Sequence, residues 1–175
     1  DYPAFAQGAN AYYASMNLHP PLSVANMAEW AANSPVDTPV NTWWVAEQNG
    51  QMVAGMGLHD TTALSEIRIT SVPPPIRLVN LFLRVIPAEG VMRENVSVQL
   101  WHAPGHDAVA RDLFACMRHH CNDRANVLRI HVDRRTSLAK APGVPPWYPK
   151  SAMMTAIRAP FDLDESRPTY AYLRV

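Results

Sequence analysis

Residues 96–122, VSVQLWHAPGHDAVARDLFACMRHHCN, hold most of the side chains that could take part in chemistry. An alternating apolar run ends at residues 103–106, and an amphipathic helical pattern begins at Asp107. A strand that leads through a glycine turn into a helix N-terminus can bind phosphate, because the first backbone N–H groups of a helix lack partners and its dipole favours negative charge. This order of elements predicts either an anion-binding loop or an ordinary capped turn.

Two residues in the turn weigh against phosphate. Pro104 has no backbone N–H to donate. Asp107 is a good helix N-cap, and in that role its carboxylate would occupy the amides that a phosphate needs and would repel the phosphate. A capped helix without phosphate and a partial phosphate site are both compatible with the sequence.

Imidazole and thiol side chains are also concentrated in this stretch, and both are zinc ligands. Cys121 falls on the apolar stripe of the predicted helix, which indicates a core position. His119 and His120 fall in its last turn, where cations complement the dipole, and Cys116 beside them is a poor nucleophile because that helix end disfavours thiolate. We predict no metal site and two free thiols. The whole group comprises His102, His106, Cys116, His119, His120 and Cys121.

The composition is that of one globular domain spanning residues 1–175, with 48% hydrophobic and 17% charged residues. Fifteen basic residues balance fifteen acidic ones, so neither nucleic acid nor a membrane surface is expected as a partner. No apolar run reaches the roughly 20 residues of a membrane span, and the N-terminus has no signal-peptide pattern. A cytoplasmic location is expected.

Two helices and a hairpin are predicted for the first third of the chain. Residues 3–16 have helical apolar spacing, and Ser23 is a plausible N-cap for a second helix reaching about Asn33, with Val24, Met27 and Ala31 facing inward. The strand-like runs TWWVAEQ and QMVAGMGLHD are joined by Asn49-Gly50, which suits a type I′ turn.

Strands and helices alternate in the rest of the chain. Residues 65–72 are predicted as a strand, three prolines follow, and IRLVNLFLRVI (76–86) is predicted as a buried helix, with a dimer face or a ligand lid as alternatives. Further elements are predicted at 96–102 (strand), 107–122 (helix), 126–132 (strand), 134–141 (short helix), 151–158 (strand) and 169–174 (strand), with a proline-rich corner at about 142–149. This pattern favours a mixed sheet with helices on its faces.

Three stretches resemble the GNAT superfamily of acyl-CoA N-acyltransferases. WWVAEQNGQMVAGMGL is similar to that family's second and third strands, residues 96–120 to its fourth strand, loop and third helix, and NVLRIHVDRR to its fifth strand. The resemblance implies an α/β fold of the α+β type, with a mixed, mostly antiparallel sheet and helices on both faces. The missing first strand and an insertion at about 73–95 look like the C-terminal half of a tandem GNAT protein, whose partner domain shares the chain.

The resemblance also implies a cofactor and a reaction, namely acetyl or another acyl group moved from acyl-CoA to a small-molecule amine. The family's cofactor-binding positions fall on Leu100, His102, Gly105, His106 and Ala108. Its acid is often a tyrosine after the fifth strand, which here would be Tyr148. Glu47 and His59, at the ends of the hairpin strands, are candidate bases. The alternative is a non-catalytic GNAT-like domain with a structural, regulatory or dimerisation role, either as a homodimer or beside a catalytic domain.

Overall fold

The computed structural model describes residues 1–83, 86–143 and 162–170. Its helices and strands are α1 (Tyr2–Tyr13), α2 (Val24–Ala32), β1 (Asn41–Gln48), β2 (Gln51–Asp60), β3 (Ile67–Arg68), α3 (Pro74–Leu83), β4 (Val91–Met92), β5 (Glu94–His102), α4 (Asp107–Cys121) and β6 (Val127–Ile130). Two short 3₁₀ helices lie at Thr61–Ala63 and Ser137–Lys140. No helix among these residues is both long and apolar enough to cross a membrane.

The central sheet has the strand order β1-β2-β5-β6. β1 pairs antiparallel with β2, and β2 pairs antiparallel with β5, whereas β6 runs parallel to β5. One core cluster packs α4 against the sheet, and a second packs α1 and α2 against it. The mixed, mostly antiparallel sheet with helices on both faces confirms the predicted fold class.

The β1–β2 hairpin forms where the sequence predicts it. Asn49 and Gly50 both have positive φ, 52° and 75°, as a type I′ turn requires, and Gln48 pairs with Gln51 across the turn. The turn chemistry therefore sets the register of β1 on β2.

Helix α1 packs closely onto the sheet around Trp101, which is 2% exposed. Asp1 caps the helix by accepting from Ala4 N. A Cβ atom at Gly8 would lie 2.1 Å from the Trp101 ring, and one at Gly55 would lie 2.6 Å from Trp101 Nε1 and from the Phe5 ring. The absence of side chains at these two glycines makes room for the tryptophan.

Helix α2 begins after its predicted cap, because Ser23 Oγ accepts from Asn26 N at 3.0 Å. Met27 is fully buried, as predicted. Val24 is 41% exposed, so its predicted inward orientation is wrong. A nine-residue helix turns only a narrow stripe toward the sheet, and Met27 lies at the centre of that stripe.

Helix α3 is present, but the prediction that it is buried is wrong. None of its residues is buried, and the exposed fractions of Leu78, Leu81 and Phe82 are 61%, 74% and 80%. The two-residue strands β3 and β4 pair only with each other and leave the main sheet. The insertion therefore lies between the end of β2 and the start of β5 in the chain, and none of its described residues belongs to the two core clusters.

The second half of the described chain follows the predicted order of strand, helix, strand and short helix. Helix α4 turns Ala110, Leu113, Phe114, Met117 and Cys121 into the core. The predicted strand at 151–158 and most of the proline-rich corner lie outside the described residues. Within the predicted last strand, Thr169 forms a parallel bridge with Asn17.

Candidate functional site

Strands β5 and β6 separate partway along their length. They pair from Glu94–Val127 to Ser97–Ile130, and in the described part of the chain no further pairs follow. A bulge marks the separation: Val98 pairs with Gly57 and Trp101 with Gly55, which leaves one extra residue on β5, and Gln99 has a φ of +51°. Bulges bend a strand and redirect its side chains, and positive φ at a non-glycine residue is often found at functional sites.

A cleft opens where the two strands separate. Its empty volume is about 390 Å³, its open mouth included. The walls come from the end of α1, the bulge of β5, the chain that follows β6, and the last described segment; they comprise Tyr13, Met16, Ser97, Val98, Gln99, His131, Val132, Asp133, Thr136, Leu138, Thr169 and Tyr170.

Two polar atoms in the cleft wall have no hydrogen-bond partner among the described residues, and both are buried. They are Ser97 Oγ and Gln99 Oε1, and Ser97 is 2% exposed. Buried polar groups are almost always paired, so each unpaired one calls for water or a ligand. The cleft is thus suited to a ligand that both donates and accepts hydrogen bonds.

His131 lies in the same wall, immediately after β6. Burial lowers the pKa of its imidazole, with a further lowering by Arg129 that Glu94 opposes. The ring is therefore neutral at neutral pH and can accept a proton. The sequence analysis did not identify His131; its position just past the carboxyl end of a parallel strand was the available signal.

Asp133 has a structural role at the edge of the cleft. Hydrogen bonds from Arg135 hold the pKa of this carboxyl well below its usual range, and Thr169 N donates to Asp133 Oδ2 at 2.9 Å. Arg135 Nη1 also donates to the carbonyl of Glu165 at 2.7 Å. The ionised carboxylate thereby fixes the segment 162–170 against the chain after β6.

The turn between β5 and α4 is closed by a hydrogen bond from His106 N to the carbonyl of Ala103, 3.0 Å long. Pro104 at its second position and Gly105 at its third, with a φ of +80°, are typical of a type II turn. A Cβ at Gly105 would meet no other atom of the described chain within 4 Å. The space beside this glycine is open.

The prediction that Asp107 caps α4 is wrong. The N-cap is His106, no described side chain caps the helix, and Asp107 is the first residue inside it. The turn brings His106 to the capping position, where its Nδ1 faces the Pro104 carbonyl at 3.0 Å. The first amides of α4 are therefore not occupied by a carboxylate, although Asp107 adds a negative charge to the first turn.

The predicted cofactor-binding residues Leu100, His102, Gly105, His106 and Ala108 lie together at this end of β5. Gly105 and Ala108 are exposed. The Leu100 side chain is in the core, and its carbonyl accepts from Tyr13 OH at 2.5 Å.

His102 bridges the two sides of the cleft region. Its Nε2 lies 2.7 Å from Ser137 Oγ and its Nδ1 lies 2.8 Å from the Ala103 carbonyl. Because a carbonyl only accepts, Nδ1 carries the proton in this contact. The ring is thus held between the first carbonyl of the turn and the second 3₁₀ helix.

Of the predicted catalytic residues, Glu47 and His59 lie at opposite ends of the hairpin strands. Glu47 is exposed near the hairpin turn. His59 lies at the far end of β2, with Nδ1 2.5 Å from Asn41 Oδ1 and its ring stacked on Trp30. Neither residue is in the cleft wall. Tyr148 lies outside the described residues.

The described His, Cys, Asp and Glu residues include no group of three or more that could hold a metal ion. Cys116 is exposed and Cys121 is buried, and both are free thiols. His120 packs its ring against Trp44 at 4.8 Å. Of the six side chains considered as zinc ligands, Cys116, His119, His120 and Cys121 lie on α4, while His102 ends β5 and His106 is the N-cap of α4.

No protein-family model and no curated protein sequence matches the chain. Its fold does match solved structures. A ribosomal-protein-alanine N-acetyltransferase from Brucella melitensis biovar Abortus 2308 has a TM-score of 0.51 at 15% identity, with 92% of this chain and 93% of that chain covered. A predicted acetyltransferase from Clostridium acetobutylicum, solved with acetyl-CoA, has a TM-score of 0.51 at 10% identity, with 90% of each chain covered. The chain has the GNAT fold.

Proposed function

We propose that this protein is an acyl-CoA N-acyltransferase that transfers an acetyl or related acyl group to a small-molecule amine. The observation that carries the proposal is the separation of β5 from β6 at the Gln99 bulge, which leaves a cleft with unpaired buried polar atoms. Solved acetyltransferases with the same fold support it, one of them described with acetyl-CoA. Acyl-CoA would supply the acyl group as an activated thioester.

The chain's own residues fit such a ligand at the end of β5. The open space beside Gly105 allows close approach, and the uncapped amides of α4 would donate to phosphate oxygens. Pro104 contributes no donor, and the charge of Asp107 opposes the phosphates, so a modest affinity is expected. Ala108, in the first turn of α4, would contribute a backbone N–H.

The amine would enter the cleft on the side of His131. There the neutral imidazole would accept the proton that the amine nitrogen loses as its bond to the acyl carbon forms and the thioester C–S bond breaks. The departing CoA thiolate would take up a proton from the imidazolium or from solvent. Ser97 Oγ or Gln99 Oε1 would orient the amine by accepting its other N–H, because both are buried acceptors of the cleft wall that the described chain leaves unpaired. The free thiols of Cys116 and Cys121 support a reducing compartment such as the cytoplasm.

Calorimetric titration with acetyl-CoA tests the proposal. Gly105→Trp should abolish binding, because the indole would fill the open space beside the turn. Gly50→Trp is the matched control: Gly50 also has positive φ and open surroundings, 75° against 80°, but lies in the β1–β2 turn. Both substitutions carry similar backbone strain, and only the first should remove binding. Absence of binding to wild-type protein at millimolar acetyl-CoA, or equal loss in both variants, would exclude the proposed site.

A further inference from the structure

Exposed apolar side chains are concentrated in one segment of the molecule. Ten large hydrophobic side chains of the described residues are exposed, and seven of them lie between residues 64 and 82. We call these seven the 64–82 patch; they are Leu64, Ile67, Ile76, Leu78, Val79, Leu81 and Phe82. The other three, Val24, Val36 and Val45, are scattered. Scattered exposed valines are ordinary, whereas a concentrated group indicates a contact surface.

Helix α3, which carries most of the patch, is held mainly through its own neighbours in sequence. Arg77 Nε donates to the Val72 carbonyl, and the Asn80 amide exchanges two hydrogen bonds with the backbone of Ile86. On a helical wheel, Arg77 and Asn80 fall side by side, and every other residue from 76 to 83 is apolar. A helix that is apolar around most of its circumference requires burial against something outside itself.

We propose that a second copy of this chain covers the 64–82 patch, in a two-fold symmetric dimer. The seven side chains are 42–80% exposed, and together they expose on the order of several hundred Å², as much as the largest apolar patch of a typical monomer. An area of this order approaches the roughly 800 Å² that each partner contributes to a standard protein interface. A two-fold axis places the same patch on both sides and lets the two α3 helices pack antiparallel, with opposed dipoles.

Charge favours a second copy over an anionic membrane surface. The chain has fifteen basic and fifteen acidic residues, so two copies approach without net repulsion, and no net positive charge draws the chain to anionic lipid. Arg77 is the one charged residue of α3. It occupies the polar edge of the helix, where it can stay in water while the apolar arc is covered.

Light scattering coupled to size exclusion, run from micromolar to submillimolar concentration, tests the dimer. Wild-type protein should reach twice the 19.5 kDa of one chain. Leu81→Glu/Phe82→Glu should weaken dimerisation by roughly 100-fold or more, because each substitution places an unpaired charge at the centre of the interface. Val24→Glu/Val45→Glu is the matched control: these valines are exposed outside the patch, so dimerisation should be unchanged. All four positions are exposed, and thermal melts by circular dichroism should show both variants folded.

Three outcomes would overturn the proposal. They are wild-type protein that stays at the mass of one chain at the highest concentration, a patch variant that dimerises like the wild type, and a control variant that dissociates equally. Flotation with phosphatidylcholine vesicles containing phosphatidylserine completes the test: binding of a monomeric wild type that the patch variant loses would assign the patch to membrane. The dimer does not depend on the proposed enzyme, and Gly105→Trp should leave the mass unchanged.

Discussion

The residues that pack around Trp101 and the residues of helix α3 are similarly apolar in sequence. In the fold the first group is buried and the second is exposed. Trp101 is 2% exposed, with the Phe5 ring edge-on at 5.7 Å, whereas Phe82 is 80% exposed. The difference lies in the neighbours. Gly8 and Gly55 leave a space shaped for the indole, while α3 is connected to the sheet through a two-residue ribbon and has no such receiving surface among the described residues. Apolar side chains gain free energy from burial wherever they lie. Whether they are buried within the same chain depends on whether that chain has a surface of complementary shape.

Truncation of the two aromatic side chains tests this contrast most directly. Trp101→Ala should lower the free energy of unfolding by about 3–5 kcal/mol, because it leaves a large cavity between α1 and the sheet. Phe82→Ala should change stability by less than about 0.5 kcal/mol in dilute, monomeric protein, since it removes little buried surface. Urea unfolding measures both. Similar losses in the two variants would show that α3 is covered within the monomer.

Catalytic activity should depend on residues of the packed region and should not depend on α3. His131→Gln should lower kcat about 10²–10³-fold while leaving the dissociation constant for acetyl-CoA unchanged, because in the proposed reaction the ring accepts the amine's proton and the phosphates bind at the Gly105 turn. Leu81→Glu/Phe82→Glu should leave kcat unchanged. Amide formation from acetyl-CoA with a panel of small amines provides the assay, and a His131→Gln variant with full activity would remove this histidine from the mechanism.

Adding one methyl group near Trp101 should show how tightly the packed region is fitted. Gly8→Ala ordinarily stabilises a helix by about 1 kcal/mol. Here the new Cβ would overlap the indole, so a loss of about 1–3 kcal/mol is expected. In a Trp101→Leu background the overlap disappears, and the same substitution should become neutral or stabilising. Unfolding of the four proteins in a double-mutant cycle measures the coupling; additive effects would contradict the contact.

Acid should lower the stability of the protein through three partly buried histidines that lie outside the 64–82 patch. Burial lowers the pKa of His19, His59 and His131 below the ordinary value near 6.5. The unfolded chain then binds more protons than the folded one once the pH falls below about 6.5, so this contribution to stability is full above that pH and declines below it. Melting temperatures between pH 8 and pH 5 should fall, and less steeply in a His59→Asn variant. An unchanged slope would show that His59 is not the source.

The sequence predicted elements whose signals are local. Asn49-Gly50 sets the hairpin turn by its tolerance of positive φ, and the apolar stripe that ends at Cys121 predicted α4 nearly to the residue. The sequence could not predict whether α3 is buried or exposed within its own domain. An apolar helix has the same sequence pattern whether it packs inside its own domain or against another molecule.

The cleft was harder to predict, because it depends on a bulge. The alternating apolar pattern of β5 does not indicate the extra residue at Gln99. That residue exchanges the sides of the sheet toward which the following side chains point. Ser97 and His131 are distant in sequence and come together only through the parallel pairing of β5 with β6. The turn at Gly105 was located correctly. The prediction that Asp107 caps α4 was wrong, because the turn places His106 at the N-cap position.

The position of segment 162–170 near the end of this sequence determines when the cleft can form during synthesis of the chain. Asn17 Nδ2 donates to the Asp164 carbonyl at 2.7 Å, and the Asn17 carbonyl accepts from Tyr170 N at 2.9 Å. One wall of the cleft is therefore supplied by residues synthesised about 150 positions after the end of α1. At a translation rate of about 5–20 residues per second, a nascent chain passes many seconds with its first helices made and this wall still missing. The cleft is consequently completed late in synthesis, after the sheet that frames it has had time to form.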